Sequence, residues 1–286
     1  MNSAPRPSPD ELRARAARAR ATLRACDLCE LRCGIDRTAG ERAPCGLAAE
    51  SRTFKRHVSY AEELELIPSY MVYLGGCNFR CKFCVQAPYC FRTDVGAALE
   101  PEAAAADFRA IISRGGRTVN LLGGEPSLHL HTILDIAAAD ASRDYPERLP
   151  LVLNSNMYMT PEVIDLLEGV VTLYLADLKF GNDACASDLA GVPRYWDVVT
   201  RNLLAAAATT PVLVRHLAMP GHIDCCLKPV ADWMERHLPT ASFNVGRGYV
   251  PAYRAQTCGN MGRCLSADEE QRVDAIIAGY KGRLAA

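Results

Sequence analysis

From residue 69 onward, short apolar runs alternate with amphipathic stretches. The runs predict strands at 70–74, 118–122, 149–154, 171–176, 212–217 and 242–245. Between them, apolar positions recur at helical spacing near 101–113, 128–141, 161–168, 194–208 and 226–237, and a last helical pattern spans 267–279. Strand and helix alternate six times, which predicts βα units and a parallel sheet, open or partly curled into a barrel. In such sheets the chemistry gathers at the C-terminal ends of the strands.

Before residue 69 the pattern differs. Residues 1–8, rich in Pro and Ser, read as a disordered start. Ser8, Pro9 and Glu11 then form a helix N-terminus, with the serine as cap and the proline at the first position. The helix would run to about Arg24 and present Arg13, Arg15, Arg18, Arg20 and Arg24 as a solvated face. Asp10, Glu11 and the cysteines that follow weaken a transit-peptide reading. The chain thus divides into 1–25, a disordered start and basic helix; 26–68, a cysteine-rich metal-binding segment and linker; 69–250, the barrel; and 251–286, a C-terminal loop and helix.

The length of 286 residues suits one α/β barrel with an appendage as well as two domains of ~150 residues. A net charge of −1 gives no support to electrostatic binding of nucleic acid or an acidic membrane. No apolar run approaches the ~18 residues of a membrane span. Thirteen cysteines are too many to ignore, yet the count is odd and no apolar signal region follows Met1. Thiols kept reduced in a cytoplasm fit this better than a secreted disulfide framework.

Cys77, Cys81 and Cys84 are spaced C-x3-C-x2-C directly after the strand at 70–74. A structural zinc site wants four ligands, and so does an ordinary four-iron cluster. Three cysteines leave one iron open for a small molecule, whereas Cys90 as fourth ligand would give a closed site. The next strand ends in Gly123-Gly124-Glu125-Pro126. With Phe83 before the third cysteine, these motifs resemble the radical S-adenosylmethionine (SAM) superfamily. The resemblance implies a partial (β/α)6 radical SAM barrel, an α/β fold, with a [4Fe-4S] cluster on Cys77, Cys81 and Cys84. Its open iron would chelate SAM, and reductive cleavage would give a 5′-deoxyadenosyl radical that takes hydrogen from the substrate.

Further segments end the later strands: Leu153 to Met159, Leu175 to Phe180, and Val214 to His222, with Gly191-Val-Pro193, Tyr195, Arg201 and Asn202 between them. Together these are similar to uncharacterised homologues of pyruvate formate-lyase activating enzyme, over roughly residues 26–254. The resemblance implies that Phe83, Gly123, Gly124, Glu125, Asn154, Ser155, Asp177, Lys179 and Arg215 bind the cofactor, with a monovalent cation as an additional ligand. It implies a reductant such as flavodoxin or ferredoxin, and a protein, peptide or metabolite substrate, with glycyl-radical-enzyme activation among the roles. His216 carries no assignment, and His129, His131 and His222 have no metal spacing.

Cys26, Cys29, Cys33 and Cys45 form a complete four-ligand set on a glycine-containing segment, compatible with zinc or with a second [4Fe-4S] cluster. Cys258 and Cys264 are candidate hydrogen donors to a substrate radical, or ligands of an accessory metal. The competing reading is a non-catalytic iron-sulfur or zinc protein, an electron carrier or scaffold; the Gly123–Pro126 and Asp177–Lys179 motifs speak against it.

Overall fold

In the computed structural model, residues 5–143 and 145–285 are described. One eight-stranded sheet runs in the order β3-β1-β2-β4-β5-β6-β7-β8. Its parallel part comprises β2 (Ser69–Leu74), β4 (Thr118–Gly123), β5 (Leu151–Ser155), β6 (Leu173–Asp177), β7 (Val212–Leu217) and β8 (Ser242–Gly246). These are the six expected strands, with ends displaced by at most two residues, and the fold is the expected partial barrel. Helices α3 (Pro101–Ser113), α4 (Leu130–Ala141), α5 (Pro161–Leu167), α7 (Tyr195–Thr209) and α8 (Lys228–His237) alternate with them, and α9 (Ala267–Gly279) follows.

Two strands have no apolar signature. The strand β1 (Arg52–Ser59) reads RTFKRHVS and pairs antiparallel with β2 on one side and with the two-residue β3 (Ala97–Ala98) on the other. Lys55 and Val58 on it are exposed, so its polar composition suits a sheet border, where charge discourages further pairing. The short helix α2 (Ala87–Cys90) likewise lacks a stripe, and α6 (Asp183–Ala190) has only the small one of Ala186, Leu189 and Ala190. In α6 the ends carry the signal instead: the Asn182 side chain accepts from the Cys185 N–H, and Gly191 closes the helix in a left-handed conformation.

The first helix, α1 (Pro9–Thr22), begins as expected, with the Ser8 hydroxyl accepting from the Glu11 N–H. Its basic face is not merely solvated. Arg15 donates to the carbonyls of Leu166 and Glu168, Arg18 pairs with Glu162, and Arg20 pairs with Asp135. Leu12, Ala16, Ala19 and Leu23 are buried beneath, and each buried leucine contributes roughly 2 kcal/mol relative to an exposed one. The expected disordered start needs correction for residues 5–8, since Pro7 is buried and Arg6 donates to the Tyr145 carbonyl and to Asp140. Residues 1–4 lie outside the described residues.

One core cluster runs from Leu12 through the cysteine segment and the helices to Val273. A smaller one, made of Leu66, Val152, Leu175 and Leu213, fills the barrel interior. Because side chains alternate along a strand, Val152, Leu175 and Leu213 point to the same face as Asn154, Asp177 and Arg215 two residues on. The small cluster is therefore the floor under whatever the strand ends hold.

Candidate active site

A cavity of about 330 Å³ opens over that floor. Met71 and Tyr73, Leu122, Asn154, Asp177, and Arg215 and Leu217 reach it from successive strands, and Cys77, Cys81 and Cys84 close it from the loop after β2. Phe83, Gly123, Gly124, Glu125 and Lys179 also line it. Of the residues singled out from sequence for cofactor or cluster binding at this end of the barrel, only Ser155 stays off its surface.

The loops after β2 and β4 lie backbone on backbone. Gly124 donates to the Leu74 carbonyl at 2.8 Å, Glu125 N–H donates to the Gly76 carbonyl at 2.8 Å, and a Cβ on Gly124 would overlap the Gly76 carbonyl oxygen. Gly123 adopts φ +112°, a region that favours glycine. The paired glycines are thus what lets the second strand end approach the cysteine loop. His129, fully buried, pins the same corner through Ser51 Oγ and the Gly75 carbonyl.

Glu125 is also fully buried. Burial pushes its carboxyl upward, opposed by hydrogen bonds from Asn156 N–H, Ser127 N–H and the Ser155 hydroxyl. Three donors from this chain already hold it, so the carboxylate orients the turn and β5. The Ser155 hydroxyl, expected at the cofactor, donates to Glu125 at 2.7 Å. Asn156, missed from sequence although it sits in the segment that carried the resemblance, lines the cavity and donates to Asn78 Oδ1 at 2.8 Å.

Lys179 and Asp177 do meet on one face, at 2.5 Å. Burial alone would pull the lysine down; Asp177 and Cys81 outweigh it and hold the ammonium charged. The Asn154 amide has no hydrogen-bond partner in the protein among the described residues and is available at the cavity wall. Arg215 is less free: Glu63 and Glu62 clamp its guanidinium from the loop after β1, outweighing the effect of burial and keeping it charged. It lines the rim with its charge already matched.

Burial raises the Cys77 thiol well above its ordinary range and Cys81 to about 12. Cys84 is drawn down to about 7, chiefly by a hydrogen bond from Cys90 at 3.8 Å between sulfurs. That separation suits a thiol hydrogen bond, which places Cys90 beside Cys84 at the cavity wall. Three thiols around one cavity, with an unpaired amide and a charged ammonium opposite, fit a cluster with one open iron and a ligand upon it.

The N-terminal cysteines pack against this loop from below. Cys77 N–H donates to the Cys45 carbonyl, Cys29 bridges to Met159, and Thr160 N–H donates to the Leu28 carbonyl. Burial raises Cys29 to about 12, and raises Cys45. Cys258 and Cys264 are elsewhere: Cys258 Sγ donates to the Arg254 carbonyl, Cys264 is exposed, and neither lines the cavity. The short helical turns at Tyr253–Thr257 and Gly259–Gly262 dock on the cysteine loop, where Ala255 N–H donates to the Lys82 carbonyl.

A family model described as the radical SAM superfamily matches residues 71–234. The chain belongs to the radical SAM superfamily. It is 34% identical over 264 residues to an uncharacterised protein of Methanocaldococcus jannaschii, MJ0674, covering 89% of this chain and 75% of that one. Among solved structures, Streptococcus suis SuiB bound to its precursor peptide SuiA aligns with TM-score 0.52 at 13% identity, over 73% of this chain and 45% of SuiB. The protein anSMEcpe with bound AdoMet aligns with TM-score 0.52 at 12% identity, over 73% of this chain and 61% of that one. The chain spans less than half of SuiB, and at these identities the likeness is one of fold. Radical SAM membership brings a [4Fe-4S] cluster, SAM, a reductant and a substrate to the enzyme. No helix among the described residues is long and apolar enough to cross a membrane.

Proposed function

We propose that this radical SAM enzyme seats its cluster on Cys77, Cys81 and Cys84, binds SAM in the 330 Å³ cavity, and takes hydrogen from a peptide or protein segment. The observation behind the substrate class is the shape of the mouth. The cavity lies at the small end of the ~300–1,000 Å³ typical of ligand sites, so SAM would fill it. A second hollow of about 490 Å³ adjoins it, sharing Glu62, Asp177, Lys179, Arg215 and Leu217. Tyr60, Leu64, Val85 and Tyr89, on the two loops that rim these hollows, are 54–70% exposed. Exposed large apolar side chains gathered at a site mouth suit a polypeptide partner. SuiB and anSMEcpe, which share the fold, are known with a precursor peptide and a Kp18Cys peptide bound.

When bound, the cluster supplies the electron that cleaves the SAM sulfonium. The chain's own residues hold and shield. The Gly123–Gly124 backbone offers polar groups to the methionine end, Asn154, Asp177 and Lys179 face carboxylate and ribose, and Phe83 packs edge-on against Phe180 to keep water from the cysteine loop. Cys26, Cys29, Cys33 and Cys45 would hold a second metal, zinc or [4Fe-4S], placed by the Cys45–Cys77 backbone contact to support or feed the first. Homology to the pyruvate formate-lyase activating enzymes, a flavodoxin or ferredoxin donor and a cytoplasmic location complete the reading. An electron carrier would have no need of this cavity beside its thiols.

Adding SAM to the dithionite-reduced protein should shift the cluster's electron paramagnetic resonance signal, and Cys77→Ala should remove it. An unshifted signal overturns SAM binding at this cluster. For the substrate, a deuterated cell extract is divided by ultrafiltration and each half supplied to the enzyme. Deuterium entering 5′-deoxyadenosine from the retained macromolecules supports the polypeptide class; deuterium from the filtrate alone contradicts it.

A further inference from the structure

Three cysteines unused by the radical SAM site converge with His222 at the start of α6. His222 Nδ1 lies 3.5 Å from Cys185 Sγ, 3.4 Å from Cys225 Sγ and 4.0 Å from Cys226 Sγ. Cys185 to Cys225 is 3.8 Å and Cys225 to Cys226 is 3.9 Å. All four ligand atoms lie within 4.8 Å of one another. With zinc bonds of ~2.3 Å to sulfur and ~2.05 Å to nitrogen, a regular tetrahedron places sulfurs ~3.8 Å apart and sulfur ~3.6 Å from nitrogen. Five of the six separations fall within about 0.4 Å of those of one tetrahedral ion, and the sixth, Cys185 to Cys226, is within 4.8 Å. They are far too long for a disulfide at ~2.05 Å.

We propose that Cys185, His222, Cys225 and Cys226 bind a structural zinc ion. The donor set is closed, with three soft thiolates and one imidazole and no vacant position for a substrate. The surroundings are built to hold the ligands in place. Asn182 Oδ1 accepts from the Cys185 N–H and Asn182 Nδ2 donates to the Cys225 carbonyl, each at 2.8 Å. Gly181 lies so close to the turn that a Cβ there would sit 2.7 Å from the carbonyl oxygens of both Cys225 and Cys226. The turn itself, Ile223–Leu227, is a π turn, a rare conformation that brings His222, Cys225 and Cys226 to one side.

The ion's place in the fold suggests its purpose. It would tie α6 to the segment entering α8. The far end of α6 accepts the backbone N–H groups of Arg80 and Lys82 at its Ala190 and Leu189 carbonyls, at 2.9 and 2.8 Å. The residues that flank Cys81 therefore rest on a helix that zinc would anchor. The site is structural, one helix away from the chemistry.

The test uses the full chain, purified anaerobically with its iron-sulfur sites filled and dialysed against a chelator. Zinc content should exceed that of Cys226→Ser and His222→Ala by about one equivalent, with iron and sulfide unchanged, whereas His222→Cys, which restores four ligands, should retain it. Should a variant fail to fold, the parent decides the matter. In parent produced in zinc-depleted medium, so that the site is empty, added zinc chloride should slow alkylation of Cys185 and Cys225 while leaving exposed Cys264 unaffected. Equal zinc in parent and both loss variants, alkylation of Cys185 and Cys225 that zinc does not slow, or a Cys185–Cys225 disulfide in the anaerobic protein would each overturn the proposal.

Discussion

Two sulfur sites lean on opposite ends of α6, and they are built in opposite ways. Cys77, Cys81 and Cys84 are near neighbours in sequence, spread around a cavity, and leave room for a ligand of many atoms. Cys185 and the turn at 222–226 are far apart in sequence and converge within 4.8 Å, room for one ion. The first site sits where strand ends and glycines bring open polar groups together. The second sits between two helix starts whose backbone is already satisfied. Crowding of ligand atoms separates a site that holds from a site that reacts.

The sharpest way to break this contrast is to remove ligands from each side. Cys81→Ala should lose iron and reduce 5′-deoxyadenosine formation at least ~10³-fold, since only two of the three thiolates that hold the cluster would remain. Cys185→Ser should lose zinc, keep its iron and stay within about tenfold of the parent, while melting several degrees lower. Equal losses of SAM cleavage in the two variants would erase the distinction.

Next in size is the contact between the two strand ends. Gly124→Ala forces a Cβ onto the Gly76 carbonyl and should cost more than ~3 kcal/mol in denaturant titration. Glu125→Gln keeps the shape but turns one accepting oxygen into a donor facing donors, and should cost about 2–3 kcal/mol. A neutral result for either would mean that the turn is not held as described.

The first site was legible because its ligands and glycines stand in consecutive residues at strand ends, and the six apolar strands could be counted from their runs. The second was only partly legible: His222, Cys225 and Cys226 stand three and four residues apart, a usable ligand spacing in its own right, but Cys185 lies 37 residues earlier on a separate helix. Only the fold brings Cys185 to the other three. The polar edge strand β1 was missed for a related reason, because its pairing lies with the backbone of β2 and not in its side chains. Arg215 shows the limit from the other direction. Its position at a strand end was right, but Glu62 and Glu63, which neutralise it, come from a loop with no recognisable motif.

The smallest effect is a pH dependence. Burial holds His129 and His216 down to about 4, so both stay neutral in the folded chain. The unfolded chain takes up their protons near ~6.5. Stability should therefore fall as pH drops from about 6.5 toward about 4, by on the order of 2 kcal/mol per histidine at pH ~5. His129→Gln should flatten part of that slope in urea titrations; an unchanged slope would show that His129 is not buried neutral.

The most direct test of the cysteine loop and its cavity is anaerobic 5′-deoxyadenosine formation by the iron-reconstituted protein with dithionite and SAM. The parent should produce it, and Cys77→Ala, Cys81→Ala and Cys84→Ala should not. Production by any of the three variants at the parent's rate, or none by a parent with a full complement of iron and sulfide, would contradict the account.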